Sequence, residues 1–212
     1  MIHEGPAGAV IGGNVYPKYA TRNPIARAMV GGFLRTLDEL VAATGARSVH
    51  EVGCGEGHLL TRFRDMGLTA RGSDLSAAAI DEARIRLAER GPEVPLQVRD
   101  LYALAPPADA EDLVVCCEVL EHVPDPGRAF AVLARLARPH LIVSVPREPL
   151  WRILNVARGR YVTAFGNTPG HLQHFSTRRI IDLAARHVEV VEVRTPTPWT
   201  MLHCRAPQAA VA

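Results

Sequence analysis

Lysine is almost missing from this chain: Lys18 is the only one among 24 basic residues, and 22 acidic residues leave a formal charge of +2. A dedicated nucleic-acid binder shows a basic face and a larger positive excess, so the charge balance argues against that class. An Arg-for-Lys bias of this kind points to a GC-rich bacterial genome rather than to phosphate recognition. Cysteines are few (Cys54, Cys116, Cys117 and Cys204), and no two are spaced as a CxxC pair. Cys116 and Cys117 fall inside an apolar run, where reduced, buried thiols are expected. No apolar stretch approaches the ~20 residues of a membrane-spanning helix. The first residues show no basic segment followed by an apolar one. A soluble, cytoplasmic protein is the expectation. Internal repeats and low-complexity linkers are missing too.

What remains is ordinary globular material: 212 residues, 48% apolar and 22% charged, enough for one α/β domain with its own core. Residues 1 to about 23 are rich in Gly, Pro and polar residues, with Tyr16, Tyr19 and Arg22 as candidate anchors. Asn23 and Pro24 read as N-cap and first turn of a helix that runs to Gly45. Then "ARSVHEV" reads as a buried strand and "GHLLTRFRDMG" as a helix closed by Gly67. "LTARGSD" is a second strand, and Ser76 can cap a helix ending at Gly91. "VPLQVRD" and "EDLVVCCEV" are strands three and four, "PGRAFAVLARLA" a helix and "PHLIVSVP" strand five. Strands alternating with helices of this length predict a mostly parallel sheet covered on both faces. After Pro146 the pattern breaks into about thirty residues of aromatic, Arg, Gly and Pro character, which read as a cap insertion. Ser176 can then cap "TRRIIDLAARH", and "VEVVEVRT" and "TMLHCRA" close the fold.

The densest glycine cluster is "VHEVGCGEGH", with Gly53, Gly55 and Gly57 at alternate positions behind the first strand. Bare backbone N–H groups there suit a dinucleotide phosphate, a nucleoside with a charged tail, or nothing more than a tight turn. The dinucleotide fingerprint is GxGxxG; here the spacing is GxGxG, His58 follows, and Glu51 precedes. An acid then stands at each of the next strand ends: Asp74, Asp100 and Glu118. A carboxylate at Asp74 can accept from both hydroxyls of a ribose, and one at Asp100 from the exocyclic amine of an adenine. In an open α/β sheet such strand ends border the ligand crevice.

"VHEVGCGEGHL", "GSDLS", "VRDLY" and "CCEVLEHVPDP" together resemble the ordered motifs of class I S-adenosylmethionine-dependent methyltransferases, and "EVLEHV" resembles their small-molecule branch. The likeness covers residues 46–146. It implies a Rossmann-like α/β fold with a seven-stranded, mostly parallel sheet and helices on both faces. An N-terminal helical lid (1–45), the cofactor core (46–146), a cap insertion after strand five (147–175) and a closing helix and strands (176–212) complete a single domain. It implies S-adenosylmethionine as cofactor and S-adenosylhomocysteine as product. Carried over, Glu51, Gly53, Gly55 and Gly57 shape the floor under the methionine part, and Asp74 holds the ribose. Asp100 and Leu101 flank the adenine, and Glu118 opens the loop by the methyl donor; Leu75, just after Asp74, either packs on the adenine face or belongs to the core. An NAD-dependent oxidoreductase is the competitor that the GxGxG spacing disfavours.

On the acceptor side, His122 is a candidate general base, or else half of a structural "EH" pair that shapes its loop. His171 and His174, a turn apart if helical, either line the inner face of the cap or fix the insertion to the sheet. Arg147, Trp151, Arg152, Asn155, Arg158, Arg160 and Tyr161 give the insertion a cationic, amphipathic character. Its arginines either bind an acidic acceptor or face solvent, with Trp151, Ile153 and Leu154 turned inward. The expected reaction is methyl transfer to an O, N or C nucleophile of a small molecule in bacterial secondary or sugar metabolism. No metal, nucleic acid or membrane partner is expected, and the state is monomer or homodimer. Two alternatives stand beside it. Glu118, Glu121 and His122, with His174 or His171 about fifty residues later, resemble the metal site of small-RNA 2′-O-methyltransferases; the other alternative is a non-catalytic cofactor-binding partner subunit.

Overall fold

The structure, a computed structural model, describes residues 21, 23–88, 93–157, 165, 167–168 and 170–207. Tyr16, Tyr19, Arg22, Gly91, Arg158, Arg160 and Tyr161, named above, lie outside the described residues. Helix α1 (Pro24–Thr44) begins where Asn23 Oδ1 accepts the N–H groups of Ile25 (2.9 Å) and Ala26 (3.1 Å), and it stops at Gly45, whose φ of 65° is left-handed. That cap satisfies two donors that no helical carbonyl can reach.

The chain then alternates: β1 (Ser48–Val52), α2 (His58–Asp65), β2 (Thr69–Asp74), α3 (Ala77–Ala88), β3 (Leu96–Val98), β4 (Glu111–Cys117), α4 (Pro126–Leu136) and β5 (Ala137–Pro146). Helices α5 (Leu150–Ala157) and α6 (Thr177–Ala184) follow, then β6 (Glu189–Arg194) and β7 (Trp199–Arg205). Ser76 and Ser176 cap as expected, their hydroxyls accepting from Ala79 N–H (3.3 Å) and Arg179 N–H (3.2 Å). The seven strands form one sheet in the order β3-β2-β1-β4-β5-β7-β6. All pairs are parallel except β5 with β7 and β6 with β7. The order reverses between β1 and β4, which places the ligand crevice at their carboxyl ends.

Strand alternation splits the core in two. On one face Val114, Cys116, Leu141, Val143 and Leu202 meet Phe130 and Leu133 of α4 and Ile180 of α6. On the other, Leu113, Val115, Cys117, Ile142 and Met201 meet Leu60 and Phe63 of α2, Ile80 of α3, and Phe33, Leu37, Leu40 and Val41 of α1. Each such aliphatic or aromatic side chain contributes about 1.5–3 kcal/mol when withdrawn from water. Helix α1, expected as a lid, is therefore over its second half a layer of the core resting on β5 and β7. Cys116 and Cys117, one residue apart, point to opposite faces, and all four cysteines are buried and outside any disulfide. Burial lifts Cys116 well above the ordinary thiol range.

Helix α5 departs from expectation at one residue. Trp151 and Leu154 are half-buried, but Ile153 is 58% exposed. At 3.6 residues per turn, positions 151, 154 and 155 share a face and 153 falls opposite; the buried Asn155 takes the inward place, donating to Thr168 Oγ1 (3.2 Å). No helix among the described residues is long and apolar enough to cross a membrane.

Candidate functional site

Four strand ends meet at the crevice. Beyond β1 the chain turns sharply, and Gly53 N–H (2.7 Å) and Cys54 N–H (3.0 Å) both donate to Ser73 C=O on β2. Gly53 has φ 78°, and a Cβ there would stand 2.2 Å from Cγ2 of Val119, so no larger residue fits. Gly55 has φ 49° and faces open space, with no atom within 4 Å of where a Cβ would stand. Gly57 closes the turn through its N–H to Cys54 C=O (3.0 Å) and precedes α2. Cys54 is buried, its Sγ 2.8 Å from where a Cβ at Gly72 would stand, and burial raises its pKa far above the usual thiol range. It is a small residue in a crowded turn, not a nucleophile.

Asp74 terminates β2 and clamps the glycine loop. Its Oδ2 accepts from Gly55 N–H (2.8 Å) and its Oδ1 from Ser76 N–H (2.8 Å). Each carboxylate oxygen keeps a second lone-pair direction for a ligand hydroxyl. The next residue, Leu75, is 51% exposed, an apolar side chain open at the strand end. Strand β3 stops at Val98, two residues before Asp100, which instead caps a single 3₁₀ turn (Leu101–Ala103). Asp100 Oδ1 accepts Tyr102 N–H (2.9 Å), which leaves Oδ2 of this exposed residue for a ligand donor; Leu101 beside it is buried. Glu51 is buried within β1. Glu118 directly follows β4 with a positive φ of 62°, a costly conformation for a residue with a side chain, and its Oε2 accepts the indole N–H of Trp199 (2.7 Å).

The second group of residues lies beyond β4. His122 Nδ1 is 2.9 Å from Gly170 C=O. A carbonyl only accepts, so Nδ1 carries a proton, and in the neutral ring Nε2 keeps the lone pair. His171 stands edge-on to His122 (centroids 4.9 Å, 81°) and stacks on Trp151 (6.3 Å). Burial, reinforced by His122 and His174, lowers the His171 pKa to about 4, so its ring is neutral. One ligand-type atom each from Glu121, His122 and His171 lies within 4.8 Å of the others. The Glu121 C=O accepts Leu172 N–H (2.8 Å) and Gln173 N–H (3.0 Å), fastening the insertion to the β4 loop.

His174 does not join this group. Residues 171–174 are not helical, and His174 Nε2 turns to Asn167 Oδ1 (2.9 Å). Trp199 escaped sequence reasoning altogether. Its ring packs edge-on to Phe33 of α1 (5.1 Å) and against Trp151 of α5 (5.8 Å). The only signal would have been its position at the start of the last strand, and that signal means nothing until β7 pairs antiparallel with β5, bringing Trp199 beside Pro146.

Residues 49–140 match a family model described as a methyltransferase domain. The ubiquinone biosynthesis O-methyltransferase of Thiobacillus denitrificans is 41% identical over 108 residues, 50% of this chain and 46% of that one. The protein of the same name from Hahella chejuensis is 38% identical over 131 residues, 59% of this chain and 54% of that one. The chain thus spans about half the length of the curated relatives it matches. Among solved structures, magnesium protoporphyrin IX methyltransferase from Synechocystis PCC 6803 with bound S-adenosylhomocysteine superposes with a TM-score of 0.68 at 22% identity, covering 88% of this chain and 89% of that one. At that identity the likeness speaks for the fold.

Proposed function

We propose that this chain, whose residues 49–140 form a class I S-adenosylmethionine-dependent methyltransferase domain, transfers a methyl group from S-adenosylmethionine to a hydroxyl oxygen of a small molecule. The observation that carries the reading is the Asp74 clamp: one carboxylate ties down Gly55 N–H and stands between an open apolar Leu75 and the loop floor. The residues fit the cofactor chemically. Gly55 leaves the loop open, with no atom within 4 Å of where a Cβ would stand, Asp74 accepts the ribose hydroxyls, Leu75 covers one adenine face, and Asp100 Oδ2 accepts the adenine amine.

When bound, the cofactor supplies a sulfonium methyl already activated for displacement. The protein's task is then alignment and exclusion of water. Phe33, Trp151 and Trp199 supply an apolar wall on the acceptor side. His122 Nε2, the unprotonated nitrogen, takes the proton released from the acceptor hydroxyl. The names of the curated relatives support oxygen as the attacked atom. Calorimetry with S-adenosylhomocysteine, followed by mass analysis of small hydroxylated acceptors after incubation with labelled cofactor, tests the reading. Tight NAD(H) binding without either sulfur ligand would overturn it, and cofactor binding without turnover would favour the partner-subunit alternative.

A second reading rests on the proximity of Glu121, His122 and His171. One carboxylate and two imidazoles suit Mg²⁺ or Mn²⁺, which would acidify a bound hydroxyl. Of the two histidines the sequence offered, His171 stands in this group and His174 turns to Asn167, while the Glu118 carboxylate is engaged by Trp199. Metal analysis of protein purified without added metal separates the readings, since metal-free, fully active enzyme removes this one.

A further inference from the structure

Beneath the strand ends runs a buried polar chain that the proposed chemistry does not use. Asp109 is 1% exposed, yet it is ionisable and surrounded by donors. Arg99 places Nη1 2.9 Å from its Oδ1 and 3.1 Å from its Oδ2, and extends Nη2 to Ala103 C=O (3.0 Å). Asp109 Oδ2 also accepts Ala105 N–H (2.9 Å). One guanidinium and one carboxylate therefore stitch together both flanks of the turn that presents Asp100 and Leu101. Arg71 adds a second cation at 3.6 Å.

The chain continues toward the glycine loop. His50, also buried, sets Nδ1 2.8 Å from Asp109 C=O and Nε2 2.9 Å from Ser73 Oγ. The carbonyl accepts only, so Nδ1 bears the proton and the Ser73 hydroxyl donates to Nε2. Ser73 is the residue whose carbonyl holds Gly53 and Cys54, and Arg99 N–H donates to Asp74 C=O (2.7 Å). The glycine loop, Asp74 and Asp100 are thus joined by one continuous set of hydrogen bonds under the crevice.

An ion pair with one buried partner, here Asp109, gives little net stability over a well-packed apolar pair, because desolvation offsets the attraction. What the fork of Arg99 gives and an apolar pair does not is direction. We infer that Arg99 and Asp109 are positioning residues that fix the Asp100 turn and thereby set how selectively the site recognises the amine edge of adenine. The inference rests on the cofactor reading above.

The test compares calorimetric affinities for S-adenosylhomocysteine and S-inosylhomocysteine, which carries a carbonyl in place of the adenine amine. Wild type is expected to prefer the adenosyl ligand by ~tenfold or more, the scale of one hydrogen bond to a charged group. In Arg99→Lys, which keeps the charge and loses the fork, affinity for the adenosyl ligand drops ~tenfold, while affinity for the inosyl ligand stays within about threefold. Asp109→Asn should behave alike; if it fails to fold, Arg99→Lys, at a partly exposed position, decides alone. Equal losses for both ligands, or a wild-type preference retained in the variant, overturn the inference and leave the cofactor reading intact. Wild type that binds both ligands equally also overturns it. Wild type that binds neither overturns the cofactor reading itself, and this inference with it.

Discussion

The indole N–H of Trp199 donates to Oε2 of Glu118 across 2.7 Å, joining the first residue of β7 to the residue just past β4. These positions are far apart in the chain and meet only because β7 lies beside β5. The contact orients a carboxylate held at φ 62° and carries the packing of Phe33 and Trp151 to the crevice. Trp199→Phe keeps an aromatic ring, though a smaller one, and removes the donor. Turnover is expected to fall about tenfold, with a stability loss of about 1–2 kcal/mol, the scale of a lost hydrogen bond to a charged acceptor. Unchanged kinetics would mean that Trp199 serves packing alone.

Asp74→Ala removes both the proposed ribose acceptor and the tether of Gly55. Affinity for S-adenosylhomocysteine is expected to fall ~100-fold or more, since two charge-assisted hydrogen bonds are lost, while far-UV circular dichroism stays native. Retained affinity would refute the ribose role.

Gly53→Ala sets a Cβ against Val119 in a left-handed turn. A loss of about 1–3 kcal/mol is expected from overpacking and strain. Adding Val119→Ala should return part of it, because it removes the clash and leaves the φ strain. A double variant no more stable than Gly53→Ala would place the cost wholly in the backbone.

Stability should decline in acid through His171. Burial brings its folded pKa to about 4 from the ordinary 6.5. Between those values the unfolded chain binds a proton that the folded chain refuses. The contribution is therefore complete above about pH 6.5 and is lost as pH falls toward 4, by roughly 2–3 kcal/mol. Burial lowers His50, His140 and His203 as well, with the same sign. Urea melts at several pH values should show a shallower slope for His171→Phe than for wild type; parallel slopes would assign the effect elsewhere.

His171→Ala and His122→Ala should reduce acceptor turnover at least ~tenfold, the lower range of an acid–base contribution, with S-adenosylhomocysteine affinity nearly unchanged. His174→Ala, whose ring engages Asn167, should have the smaller kinetic effect. Equal losses for His174→Ala and His171→Ala would contradict the assignment.

The order of elements, the caps at Asn23, Ser76 and Ser176, and the placing of Asp74, Asp100 and Glu118 at or just beyond successive strand ends were all legible in the sequence by itself. Each depends on neighbours within a few residues: a cap on the donors two or three positions on, a strand on its alternation, a strand-end acid on the strand it follows. Tertiary structure decided the rest. It chose His171 over His174, turned Ile153 outward, made half of α1 a core layer, brought Trp199 to Glu118, and drew Ser73, His50, Asp109 and Arg99 into one chain. All of these depend on where the sheet sets distant segments side by side, above all on β7 entering antiparallel between β5 and β6. Local periodicity states which face of an element is apolar, but the partner opposite that face is set by strand order and register, which no short stretch encodes.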